Sequence, residues 1–123
     1  MTSSAALLCL AMAVYHEARS EPLIGQQAVA HVVINRAHSG LYPDDVCAVL
    51  VQDAQFPFPW DPPLNVGAWE RAVRVAEQAL SGHSFDPTRG ALHYNRVDVE
   101  VPWSTGMIGM VIGEHVFWTR GVN

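Results

Sequence analysis

The 123-residue sequence has no lysine: its seven basic residues are all arginines, scattered along the chain against twelve acids. A formal charge of −5 argues against a phosphate-neutralising surface, so nucleic acid is not expected as a partner. Charge of either sign is scarce. Only 15% of residues are charged and half are hydrophobic, which excludes a disordered chain and predicts a well-buried globule. A membrane-spanning run is also missing. The apolar stretch from Ala5 to Tyr15, "AALLCLAMAVY", is shorter than the roughly 20 residues a bilayer demands, so stable membrane insertion is not expected. That stretch has the look of a secretory signal core, but "MTSS" before it carries no basic side chain and cleavage after "AMA" would amputate a helix. The expectation is synthesis in the cytoplasm without a cleaved signal. Cysteine is limited to Cys9 and Cys47, without CxxC spacing. They read either as buried small hydrophobes or, if the protein works outside the cytosol, as a disulfide tying the first helix to the third. With no repeat and no linker, residues 1–123 are expected to form a single domain.

What is present reads as α+β. Ser3 or Ser4 can cap a first helix running to about Arg19, apolar on all sides and therefore central. Pro22 stops it, and Gly25 precedes a second apolar helix, "QQAVAHVVINRA". Pro43, Asp44 and Asp45 open a short third helix, "DDVCAVLVQ". "AQFPFPWDPP" packs four prolines and three aromatics into ten residues and predicts a stiff, irregular loop. Asn65 can cap an amphipathic fourth helix with Val66, Trp69, Val73, Ala76 and Leu80 inward. The remainder, "ALHYN", "VDVEVPW" and "MVIGEHVFW", is β-rich and predicts a small antiparallel sheet or hairpin near the C-terminus.

Chemistry concentrates in "AVYHEARSE", where an oily helix presents His16, Glu17, Arg19 and Glu21. Glu17 follows eleven apolar residues and one histidine. Poor solvation disfavours the charged carboxylate and makes a proton donor available near neutral pH. Glu21 lies four residues on, its Cβ about 5 to 6 Å away if the helix persists. The bland alternative is that both acids are solvated or salt-bridged at a helix end. Six histidines invite a metal, but none forms HExxH, and a zinc site from His16, His93 and an acid is the weaker enzyme reading. No metal and no cofactor is expected.

In order along the chain, "AVYHEARSEPLIGQQAVAHVVINR", "VCAVLVQDAQF", "DPTRGALHYN" and "IGEHVFW" resemble the SleB-like cell wall hydrolase family, which includes spore-cortex-lytic enzymes and phage or bacterial peptidoglycan hydrolases. The resemblance runs from about Cys9 to Trp118. It implies a lysozyme-like α+β fold, mainly helical in its first two-thirds, that acts on the glycan strands of peptidoglycan. It places the essential acid at Glu17 and a second at Glu21. Ser20 stands where the family commonly has glycine, a change costing of order 1 kcal/mol only if that position needs a positive φ.

Glycosidic cleavage requires protonation of the leaving oxygen as an oxocarbenium-like centre develops. Two-carboxylate mechanisms need a second acid at about 5 to 9.5 Å that flanks the bond, a poor role for Glu21 one turn along the same helix. The favoured expectation is a lytic transglycosylase with one acid, Glu17, and Glu21 orienting or polarising the site; a muramidase is the other possibility. His16 is expected near Glu17. Gln55 and Phe56 could hydrogen-bond and stack on a sugar, Tyr94 and Asn95 could hold its hydroxyl or acetamido groups, and Trp60 and Trp103, flanked by prolines, could be stacking platforms. Trp69 and Trp118 read as structural. The non-enzymatic alternative is a glycan-binding module. Action at the wall would require passage through a pore, a virion or a partner protein, and a phage-encoded lysis role fits.

Overall fold

The computed structural model describes residues 3–52 and 61–120. Four helices, α1 (Ser4–Ala18), α2 (Leu23–His38), α3 (Val46–Gln52) and α4 (Val66–Leu80), precede three strands, β1 (His93–Arg96), β2 (Met107–Ile112) and β3 (His115–Arg120). The expected α+β class, helices first and a small antiparallel sheet last, is what the chain adopts.

Ser3 caps α1 by accepting the Ala6 N–H at 3.3 Å. Leu10, Ala11, Ala13 and Val14 have no exposed surface, so α1 is the central element its all-round apolar sequence predicts. It packs against α2, α3 and, most extensively, α4. The α4 face differs slightly from the one expected: Ala68, Ala72, Val75, Ala76 and Ala79 are buried, Trp69, Val73 and Leu80 are half-buried, and Val66 is exposed. Alanines at the contact let α1 and α4 approach closely, and the larger side chains fill the flanks. Asn65 caps α4 as expected, accepting the Ala68 N–H at 2.9 Å.

Two boundaries move. Pro22 is the N-cap of α2, so Gly25 lies inside its first turn rather than before it. A Cβ on Gly25 would stand 3.1 Å from the Glu21 Cβ, so the glycine serves the tight α1–α2 corner. "VDVEVPW" is not a strand either. It forms a turn and then a short 3-10 helix at Pro102–Ser104. The Asn95 side chain, donating to the Arg96 and Val99 carbonyls, bends the chain away after β1.

The sheet order is β1-β3-β2, both pairings antiparallel, with Tyr94 opposite Phe117 and Ile112 opposite His115. Alternation turns Tyr94, His115 and Phe117 toward the core and leaves His93, Asn95, Val116 and Trp118 on the outer face. A two-residue turn, Gly113 and Glu114, joins β2 to β3, with Gly113 at φ +60° as a II′ turn requires. Cys9 and Cys47 form a disulfide, with Cα atoms 5.4 Å apart, that ties α1 to α3.

Candidate active site

The corner where α1 ends is built from both sides. Glu17 sits in the last turn of α1, half-buried and followed by Ala18, which is buried in the core. The Tyr15 hydroxyl accepts the Leu64 and Asn65 N–H groups at 3.0 and 3.1 Å, fastening the start of α4 to α1. Those donated hydrogen bonds, Asn65 foremost, hold the Tyr15 hydroxyl pKa below its ordinary value against the opposing effect of burial. The Arg19 guanidinium turns back over the Tyr15 ring, 4.9 Å from its centroid. His16 donates Nε2–H to the Asp61 carbonyl at 2.9 Å, and its ring stands edge-on to Tyr15. The residues around Glu17 therefore draw the segment leading to α4 against the end of α1.

The helix does not persist to Glu21. It stops at Ala18, and the Glu21 N–H closes a turn onto the Ala18 carbonyl at 2.9 Å. The one-turn spacing that would set Glu17 beside Glu21 is thus replaced by a bend. Glu21 is only 8% exposed, and its Oε1 accepts the Glu114 N–H at 2.9 Å while His115 Nδ1 lies 3.2 Å from the same oxygen. The Nδ1 contact has the distance of an ion pair without the alignment of a hydrogen bond. Tyr94 stands edge-on to His115 at 5.1 Å and stacks on Phe117 at 5.3 Å. A buried line therefore runs from Glu21 through His115 to Tyr94, joining the helix corner to the inner face of the sheet. Ser20 does not have a positive φ, so its replacement of glycine carries no backbone strain.

Tyr94 and Asn95 do not face one cleft together, because adjacent strand residues project to opposite sides. Tyr94 is inward, whereas the Asn95 amide is committed on the outer face: Nδ2 to the Arg96 and Val99 carbonyls, Oδ1 to Trp118 Nε1 at 2.6 Å. Trp103, 47% exposed, has its ring 5.2 Å from His93 and 6.3 Å from Trp118. Gln55, Phe56 and Trp60 lie outside the described residues. Among the described residues no three His, Cys, Asp or Glu side chains group as metal ligands.

A second network escaped sequence reasoning. Asn35 Nδ2 donates to Asp86 Oδ2 and to the Ala91 carbonyl, and the buried Arg36 donates Nε–H to the Leu92 carbonyl at 2.7 Å. These bonds seat the "DPTRGAL" loop and fix where β1 begins. Burial pushes the Asp86 carboxyl up, but hydrogen bonds from Thr88, Asn35 and Gly90 outweigh it and hold the group below its ordinary range. Burial lowers His31, partly offset by Asp86. The available signal was "NR" interrupting an otherwise apolar helix.

Residues 20–118 match the family model for cell wall hydrolases. The chain belongs to the cell wall hydrolase family. This hydrolase-family chain is 39% identical over 111 residues to the spore cortex-lytic enzyme of Halalkalibacterium halodurans, which covers 88% of the chain and 33% of that protein. It is 37% identical over 110 residues to the Bacillus subtilis spore cortex-lytic enzyme, covering 88% of the chain and 35% of that protein. It thus spans about a third of the length of these curated relatives. The crystal structure of the catalytic domain of the Bacillus cereus SleB protein superposes with a TM-score of 0.80 at 31% identity, covering 97% of this chain and 93% of that one. The catalytic domain of the germination-specific lytic transglycosylase SleB from Bacillus anthracis gives 0.71, also at 31% identity, covering 96% and 97%. The family model's match begins three residues beyond Glu17, whereas the structural likeness covers nearly the whole chain.

Proposed function

We propose that the chain cleaves the glycan strand of peptidoglycan at the cell wall as a lytic transglycosylase, with Glu17 as the sole general acid and base. The observation that carries the one-acid reading is the commitment of Glu21: its buried carboxylate oxygen faces the Glu114 N–H and His115. A group so held is poorly disposed to attack an anomeric carbon. Glu17 stands half-buried at the end of an apolar helix, at the position where the family resemblance puts the essential acid. The Bacillus anthracis structural neighbour is a lytic transglycosylase, which supports the same reaction class.

Glu17 donates its proton to the glycosidic oxygen as the bond from that oxygen to the anomeric carbon breaks, giving an oxocarbenium-like centre. The resulting Glu17 carboxylate takes the proton of the muramyl 6-hydroxyl while that oxygen bonds to the anomeric carbon. A 1,6-anhydro ring forms, no water is consumed, and Glu17 is again protonated. Glu21 acts as a positioning residue, holding the β2–β3 turn and His115 against the corner that presents Glu17.

Digestion of purified peptidoglycan by wild type and Glu17→Gln, with products identified by mass spectrometry with and without borohydride reduction, tests this. Anhydro-muramyl ends made by wild type and absent from the variant are expected. Reducing muramyl ends would replace the transglycosylase with a muramidase. A folded wild type that binds glycan and releases no new ends would sink the enzyme reading and favour a binding module.

A further inference from the structure

The outer face of the sheet carries a second assembly. Trp118 lies flat across β2 opposite Gly109, where a Cβ would come within 2.7 Å of the indole. Its Nε1–H is held by Asn95 Oδ1, and Trp103 meets it edge-on. An indole fixed at three points is held in one orientation before any ligand arrives, so the packing its strand position suggested also preorganises its remaining face. Trp118 also separates two cavities, one of about 710 Å³ toward Val99 and Pro102, the other of about 580 Å³ toward Arg89 and Arg120.

The second cavity holds two of the seven cations of an acidic chain. Arg120 projects from β3 on the same face as Trp118, and Arg89 reaches it from the loop before β1 with φ +59°, the one positive φ outside glycine among the described residues. Neither arginine makes an ion pair among the described residues. Two guanidinium forks beside a fixed indole and the His93 ring suit a carboxylate attached to a sugar.

We propose that this face is a muropeptide-binding site, with the sugar on Trp118 and a stem-peptide carboxylate between Arg89 and Arg120. The assignment rests on the peptidoglycan reading above and specifies which part of that polymer the face recognises.

The test uses the whole chain and three probes: a disaccharide tetrapeptide, the same compound with its carboxyls amidated, and the peptide-free disaccharide, which keeps its lactyl carboxylate. Binding is read from the indole N–H resonance of Trp118, assigned with Trp118→Phe. Loss of the paired forks in Arg89→Asn/Arg120→Gln is expected to weaken the tetrapeptide probe about tenfold, with amidation producing a similar loss in wild type. Asparagine keeps the left-handed backbone accessible at position 89. Arg120→Gln alone, at an exposed strand end, is expected to show a smaller loss and serves if the double variant misfolds.

Equal affinity in wild type and variants, no shift of the Trp118 resonance, or the same arginine dependence for the peptide-free disaccharide would each overturn the assignment. Glycan cleavage without arginine dependence would reject this site alone. Arginine-dependent binding without cleavage would retain the site and reject the catalytic reading.

Discussion

Glu21 and His115 meet across 94 residues of chain, Oε1 to Nδ1 at 3.2 Å, and both are at least nine-tenths buried. With the Glu114 N–H donating to the same oxygen, one carboxylate anchors the β2–β3 turn to the α1–α2 corner. Glu21→Ala should lower unfolding free energy by about 1–3 kcal/mol, the scale of stranding buried polar partners. Glu21→Gln, which keeps a carbonyl acceptor, should lose less. Urea unfolding followed by circular dichroism measures both, and an unchanged midpoint for Glu21→Ala would remove the anchoring role.

Gly113 reports on the same anchor from the other side. Its φ of +60° disfavours any side chain, and an added Cβ would collide with Glu21 Oε1. Gly113→Ala is expected to cost about 1–3 kcal/mol of stability through strain and displacement of the carboxylate. Gly82→Ala, also at positive φ but with nothing within 4 Å of its Cβ, provides the control with backbone strain alone. Equal losses at the two sites would show that Glu21 is not pressed against the turn.

Acid should loosen the α2–loop contact in two stages. His31 has a folded-state pKa below its ordinary 6.5, so the unfolded chain takes up its proton first and stability begins to fall as pH drops below that value. Asp86 is likewise depressed below its ordinary 3.8. Its contribution is complete above that pH and is lost as pH falls through the folded value. His31→Gln should flatten the upper part of a stability-against-pH curve, and Asp86→Asn the lower part. A curve unaltered in both windows would contradict the assigned environments.

The helices were legible because their signals are local. Ser3 and Asn65 cap where their side chains can reach N–H groups three residues on, and the apolar run of α1 put Leu10, Ala11, Ala13 and Val14 in the core, with Leu8 left exposed near its start. Pro22 marked the end of α1 to within a residue, but the bend that carries Glu21 away from Glu17 was less legible, because it is fixed by the corner with Gly25 and by the distant Glu114. His115 could not be paired with Glu21 by spacing, since their contact depends on how the sheet docks. The face on which Trp118 lies was not legible for a related reason. Its strand pattern suggests packing, but its face depends on register with Gly109 and Asn95, which no local pattern sets.

The disulfide depends on tertiary placement in the same way, and it yields the simplest test of how the helices are held. Cys9 and Cys47 are 38 residues apart, and closing a loop of that length restricts the unfolded chain by about 4 kcal/mol in the chain-entropy treatment. The bond adds to a core that already includes Leu10, Val14, Val49 and Leu50 on the two tied helices, so native contacts should survive its removal. Reduction, or Cys9→Ser with Cys47→Ser, is therefore expected to lower the unfolding midpoint while leaving the folded far-ultraviolet spectrum unchanged. Urea titrations with and without reductant supply the comparison, and the double-serine variant should be insensitive to reductant. A reductant-independent midpoint in wild type, with free thiols detected by mass spectrometry before reduction, would show that the bridge does not form in solution.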